Sequence, residues 1–190
     1  INNEIQNSVP ERAPSFFALD IPRERTAEFS AMVRKEAPGA EINLIPSLRG
    51  TIVEFGGQRV DQLEELPEGA WVLNGDRGLT YSPQVPKGSE VIAGEWWPAD
   101  YKGPALVSLD IRVAESLAVG VGDSLTISVL GVEIPTKIAS LREVKWENFG
   151  LNYALVFSPE TFDAAPHSMV ATLTVPAKAE RALAKSIPPA

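Results

Sequence analysis

A chain of 190 residues with 44% hydrophobic and 22% charged residues is ordinary for a folded protein, and suits one large domain or two small interlocked ones. Its net charge of −8 excludes a phosphate backbone as the main partner and disfavours close adhesion to anionic lipid. No cysteine is present, so disulfide and thiol chemistry are excluded, and no apolar run reaches the roughly 18 to 20 residues that cross a bilayer.

Residues 1 to 14 are polar, end in Val9-Pro10 and Ala13-Pro14, and read as a frayed terminus. Ser15 to Ile21 is a predicted strand, with Phe16, Phe17, Leu19 and Ile21 supplying apolar surface. Pro22 suits a first helical position. Phe29, Met32 and Val33 then stripe a helix ending near Pro38-Gly39, with Met32 as core filler. Glu41 to Pro46 and Arg49 to Phe55 read as one long strand, or one broken at Pro46, before a Gly56-Gly57 turn. This first part is β-α-β.

Composition changes after Val60. Asp61 to Gly69 holds four acids and a proline and reads as a solvated connector. Trp71 to Leu73, Leu79 to Tyr81 and Val91 to Ile92 are short strands separated by Gly and Pro. The clearest unit follows, from Ala105 to Gly131. Ala105 to Val107 is a short strand, and Ser108 sits where an N-cap belongs. Ile111, Ala114 and Leu117 stripe a short helix, which Gly120 and Gly122-Asp123 end. Leu125, Ile127 and Val129 alternate as a half-covered strand, and Gly131 turns the chain into a hairpin partner, Val132 to Leu141.

From Tyr153 the first pattern returns. Tyr153 to Phe157 is a strand, and Ser158-Pro159-Glu160 reads as an N-cap with proline at the first helical position. Phe162 anchors that helix, Met169 to Val175 is another strand, and Ala179, Ala182 and Leu183 stripe a last helix. The order is β-α-β, a strand-rich middle, then β-α-β-α. The fold class is α+β, with one α/β layer built from both chain ends as split β-α-β units and a strand-rich insertion. Composition places the boundaries so that residues 1–60 and 146–190 make the layer and 61–145 the insertion.

Little in the sequence carries chemistry. His167 is the single histidine, and a Ser/His/acid triad needs more than Ser168 beside it. It reads as a surface loop residue after Pro166, and no catalytic residue is assigned. Zinc is improbable with one histidine and no cysteine, and Asp61, Glu64 and Glu65 lack the glycine-spaced loop of a calcium site. No metal or cofactor is expected, and no Gly-Lys-Ser/Thr phosphate loop appears. Gly75-Asp76-Arg77-Gly78 can be a plain turn, or a loop in which Arg77 and successive amides hold an anion. Gly120 to Asp123 reads as a tight turn. Trp96, Trp97 and Tyr101 lie near Pro98 and Pro104, and adjacent tryptophans cannot both point inward from a strand. One packs and the other is a candidate to face a partner or cargo, with Tyr101 beside it. Trp146 reads as core.

Read as a series, these residues resemble a known family. A short helix running from a serine through a small residue and a leucine into a Gly-Asp turn recurs in the extracytoplasmic domain of FtsX/MacB-like ABC-transporter permeases. Here those positions are Ser108, Ala114, Leu117 and Gly122-Asp123. The chain looks closest to the YbbP-like branch. The supporting residues are Pro14 to Phe17, Leu19 to Ile21, Arg49-Gly50, Leu79 to Ser82, Gly94 to Trp97, Val107 to Asp110, Ser140 to Arg142, Trp146 and Asn152 to Phe157. The resemblance implies a porter-like subdomain from both chain ends and an inserted, sabre-like one. It also implies an excised piece of a longer protein, with which Ile1 in place of Met agrees. Membrane helices outside this chain would anchor it at the periplasmic, extracytoplasmic face of the inner membrane. It would relay ATP-driven motion without catalysis to a lipid, lipoprotein or hydrophobic cargo, or to a periplasmic protein. Its partners would be a cytoplasmic ATPase subunit and a second permease half or copy, with no nucleic acid. The alternative is a secreted or periplasmic binding module or hydrolase unrelated to transport.

Overall fold

The computed structural model describes residues 16–145 and 153–174. The terminal segment 1–14, Trp146, Asn152, the expected helix around Ala179 to Leu183, and the side chains of Phe16, Phe17 and Leu19 lie outside the described residues. In chain order the elements are β1 (Phe16–Pro22), α1 (Thr26–Glu36), β2 (Glu41–Phe55), β3 (Gln58–Arg59), β4 (Arg77–Tyr81) and β5 (Ser89–Gly94). They continue with β6 (Leu106–Asp110), α2 (Ile111–Leu117), β7 (Ser124–Val129), β8 (Val132–Val144), β9 (Leu155–Phe157) and β10 (Ser168–Thr174). The protein is therefore α+β, rich in strand with few helices. Among the described residues no helix is long and apolar enough to cross a membrane.

The chain divides into two compact units. One comprises residues 1–45 and 168–190, the other residues 46–167. In the first, β1 and β10 pair antiparallel, with Phe16 opposite Leu173 and Pro22 opposite Ser168. The helix stripe packs as its spacing requires: Val33 is fully buried with Ile21, Ala171 and Leu173, and Phe29, Met32, Ile42 and Leu44 flank it. Pro22 ends β1 in an extended conformation, and a single 3-10 turn, Arg23–Arg25, leads into α1. The helix stops where the Ala37 amide bonds Val33 O at 2.8 Å and Pro38 bars continuation.

The second unit is a closed circuit of paired strands. β2 pairs with β4, β4 with β9, β9 with β6, β6 with β8, β8 with β7, and β7 with β2. Closure of this kind removes free edges; β5 is added along the far half of β8. The alternation read from the sequence sets the inward faces. Leu125, Ile127 and Val129 of β7 are buried with Leu48, Ile52 and Phe55 of β2 and Val107 and Leu109 of β6. Leu155 and Phe157 join the same core, with Leu117, Ala114 and Val113 of α2. Residues 46–60 and 153–167, which composition groups with the chain ends, thus lie in one compact unit with the middle segment. Their apolar side chains share its core. Pro46 does not break β2, which runs unbroken to Phe55.

Three local expectations are corrected. Trp71–Leu73 is a 3-10 turn, closed by the Leu73 amide on Ala70 O and Asn74 on Trp71 O, both at 3.1 Å. Ser108 does not cap α2. It is buried within β6, and Asp110 caps the helix by accepting from the Arg112 amide at 3.0 Å. Ser158-Pro159-Glu160 opens a series of turns in place of a helix, and the Ser158 hydroxyl accepts from the Leu106 amide at 3.0 Å and meets the Thr161 hydroxyl at 3.0 Å. Phe162 is still the anchor there, packed edge-on to Phe157 at 5.0 Å. The Gly-Asp turn after α2 is held on both sides: Asp123 accepts from the Gly120 amide, and Gly122, at φ 93, donates to Ile138 O at 2.8 Å.

Candidate functional site

The aromatic segment starts where β5 stops. Gly94 has φ 72, and a Cβ there would run into the carbonyl oxygen of Ala139, so the strand can end only with glycine. Strand alternation no longer applies beyond that point. Both indoles turn toward the same backbone: Trp97 Nε1 donates to Ser82 O at 2.8 Å and Trp96 Nε1 to Pro83 O at 3.1 Å. Their rings lie 4.1 Å apart. Trp97 is buried and Trp96 half-buried. Tyr101 closes its own turn, donating to Pro104 O at 2.7 Å with its ring against Gly103. The larger exposed apolar surface lies where the sequence drew no attention, at the β7–β8 hairpin tip, with Leu130 75% and Val132 63% exposed.

Arg77 opens β4 beside the Trp71 turn. Its Nη2 donates to Trp71 O and to Asn74 O, each at 2.6 Å, and its guanidinium lies 5.1 Å from the centroid of the Trp71 ring. Its Nε is buried with no hydrogen-bond partner. Arg49 of β2 reaches the same loop, donating from Nη2 to Asp76 O at 3.0 Å, while Asp76 Oδ1 accepts from the Thr51 hydroxyl at 2.9 Å. The two arginines, Trp71, Gly78 and Tyr153 line one cavity of about 330 Å³. Burial pushes the Tyr153 phenol up, and a hydrogen bond with Ser47 opposes it.

A second polar centre is sealed inside the sheet. Arg142 on β8 is 1% exposed. Its Nε donates to Ser108 Oγ at 2.9 Å, Nη1 to Ser89 Oγ at 3.0 Å, and Nη2 to the carbonyls of Ser108, Tyr153 and Ala154 at 3.1 to 3.3 Å. Ser140 Oγ donates to Ser108 Oγ at 2.7 Å. Burial pulls the guanidinium down to about 10, with the nearby Asp110 carboxylate acting the other way. Asp110 itself is buried and pairs with Arg112 at 2.9 Å. Ser108 and Arg142 both belong to the series of residues that carries the permease resemblance, and their meeting, across 34 positions, leaves no local mark.

His167 has both ring nitrogens engaged. Nε2 lies 2.9 Å from the Tyr81 hydroxyl and Nδ1 lies 2.8 Å from Ala165 O. A backbone carbonyl and a phenol fix the ring, as in a structural imidazole.

No family model matches the chain. In sequence it is similar to the uncharacterized ABC transporter permease YbbP of Escherichia coli (strain K12), 26% identical over 163 residues. That is 86% of this chain and 19% of the relative, so the chain spans about a fifth of the length of the curated protein it matches. A solved domain described as part of a permease protein from Porphyromonas gingivalis has a TM-score of 0.42 at 13% identity, covering 77% of this chain and 66% of that one. The resemblance to YbbP-like permeases, read residue by residue above, therefore extends over most of the chain.

Proposed function

We propose, from the similarity to an ABC-transporter permease, that this chain is the extracytoplasmic part of a longer inner-membrane permease. It works without catalysis, relaying motion driven by a cytoplasmic ATPase to a lipid, lipoprotein or hydrophobic cargo, or to a periplasmic protein. The observation that carries this reading is the sequence match running through 163 of 190 residues. In that reading a porter-like layer and a sabre-like insertion are the two working parts, and the body proposed to move is the compact unit that holds the insertion, residues 46–167. Interdomain contacts within a chain often resemble transient interfaces, which makes such motion the default expectation. Trp96, the less buried of the two tryptophans, is the proposed anchor toward a second permease half or cargo.

These 190 residues hold no cysteine, so single labelling cysteines can be placed in them once any cysteine outside them is replaced. One spin label is placed in residues 46–145 and one in 16–45 of the full-length permease, assembled with its ATPase in membranes. The distance distribution should shift between ATP-bound and nucleotide-free states. An unchanged distribution in every nucleotide state would replace the relay by a static scaffold.

A further inference from the structure

The cavity beside the Arg77 loop lies wholly within residues 46–167, and three features of its wall are unusual together. First, it presents two guanidinium groups, Arg49 and Arg77, and among the described residues neither has a carboxylate within 4.0 Å. Acidic residues outnumber basic ones 25 to 17 in this chain, so two unpaired arginines on one wall run against its composition. Asp76, beside Arg77 in sequence, has one carboxylate oxygen taken by Thr51. Secondly, Arg77 Nε is buried without an acceptor, although Nη2 serves two carbonyls. An orphaned buried donor is rare; among the described residues Nη1 has no acceptor either and is not buried, so it is the nitrogen that a ligand can reach. Thirdly, the rest of the wall is largely apolar, with two aromatic side chains, Trp71 and Tyr153, among Leu48, Val72 and Leu155. The Trp71 ring is 41% exposed, and Gly78 leaves room for the Tyr153 ring, which would stand 3.4 Å from any added Cβ. The volume of about 330 Å³ falls at the small end of ligand sites.

We propose that this cavity binds a small organic anion, a carboxylate carried on an apolar or aromatic body. Arg77 and Arg49 take the carboxylate, as guanidinium groups do in bidentate fashion. Trp71 and Tyr153 flank the body. Arg142, whose Nη2 already holds the carbonyls of Tyr153 and Ala154, fixes the wall from behind without touching the ligand. The proposal is independent of the transporter reading, since it rests on the wall alone.

The experiment is calorimetric titration of the 190-residue chain with 3-phenylpropionate, with 3-phenylpropionamide as the uncharged match. N-acetylphenylalanine forms a second arm that represents a peptide C-terminus. Binding of at least one acid at about millimolar Kd or tighter is expected, with none for the amide. The tighter arm tells a free acid from a chain end. Arg77→Gln should weaken binding by about tenfold or more, the size of one charge-assisted pair. If that variant does not fold, Arg49→Gln gives the decision, with a loss of about threefold or more expected. Failure of both acids to bind, equal binding of the amide, or full affinity in a folded arginine variant would overturn the proposal.

Discussion

Arg142 and Arg77 sit in the same compact unit and face opposite fates. Both donate to backbone carbonyls, and among the described residues neither has a carboxylate within salt-bridge distance. Arg142 is sealed, and each of its three nitrogens has an acceptor. Arg77 is half-buried at a cavity wall, and among the described residues only its Nη2 has acceptors, with Nε buried and without one. The difference separates two uses of one residue type. A fully satisfied buried arginine is part of the framework, because its removal strands several acceptors at once. An incompletely satisfied one keeps capacity in reserve.

The largest effect should come from Arg142→Met. Methionine has similar length but leaves the Ser108, Tyr153 and Ala154 carbonyls and two serine hydroxyls short of a donor. Stranded buried acceptors cost about 1–3 kcal/mol each. Release of a desolvated charge offsets part of this, as in buried pairs replaced by apolar residues. The net loss expected in urea unfolding is about 4 kcal/mol. A loss below about 1 kcal/mol would mean that the seal contributes nothing and that the contrast with Arg77 is empty.

Leu117→Ala calibrates that number against packing alone. Leu117 is 3% exposed and closes the α2 stripe over the same core. Truncation there should cost about 3 kcal/mol, within the usual range for buried leucine. A surface-sized change of roughly half a kcal/mol would show that α2 does not pack as described.

These two positions also mark how far the sequence could be read. Period-two alternation was enough to place Leu125, Ile127 and Val129 inward, and the helical stripe placed Val33 and Leu117. Both signals are local, and burial enforces them. Ser108 fits a cap only locally, since capping preference is also local, whereas its hydroxyl is claimed by Ser140 and Arg142, more than thirty positions away. The pairing of β4 with β9, which closes the circuit, joins residues 80–81 to 156–157 and leaves no trace in either segment. Of the cavity, the Gly75 to Gly78 loop was visible through its glycines. Arg49, 28 positions before Arg77, was not, since nothing local distinguishes it from a solvated strand residue. The tryptophan pair is conspicuous in the sequence, but the strand geometry that would split it stops at Gly94.

Between the two arginines in expected size stands Glu54, a charge held at the surface by donors. Burial by itself would raise its pKa, but the hydroxyls of Ser124 and Thr126, the Gly57 amide and nearby Arg59 outweigh it and hold the carboxyl below its usual range. A depressed folded pKa gives stability that is complete above the unfolded value, about 4.3, and is lost as pH falls through the lower folded value. Unfolding between pH 6 and 3 (roughly the span of carboxylate titration) should therefore show a decline that Glu54→Gln makes shallower, by on the order of 1 kcal/mol. An identical slope in the variant would show that the surrounding donors do not favour the charged form.

The smallest stability change is expected at Arg77→Met, and its smallness is the sharpest test of the comparison. The variant loses two bonds to the carbonyls of Trp71 and Asn74, a loop that water can reach on its outer side, where Asn74 and Gly75 are exposed. Neutral acceptors near solvent recover most of such a loss through hydration. The same substitution removes the stranded Nε and keeps an apolar stem against Trp71, and both act in its favour. The net change should stay within about 1 kcal/mol, several-fold below Arg142→Met. A loss as large as that of Arg142→Met would make Arg77 a framework residue and end the distinction. A carboxylate that binds the folded cavity must raise the unfolding midpoint of the parent chain by mass action. With 3-phenylpropionate present, the midpoint should rise for the parent and clearly less for Arg77→Met, whose affinity is about tenfold lower, so the side chain that matters least to folding would matter most to the ligand.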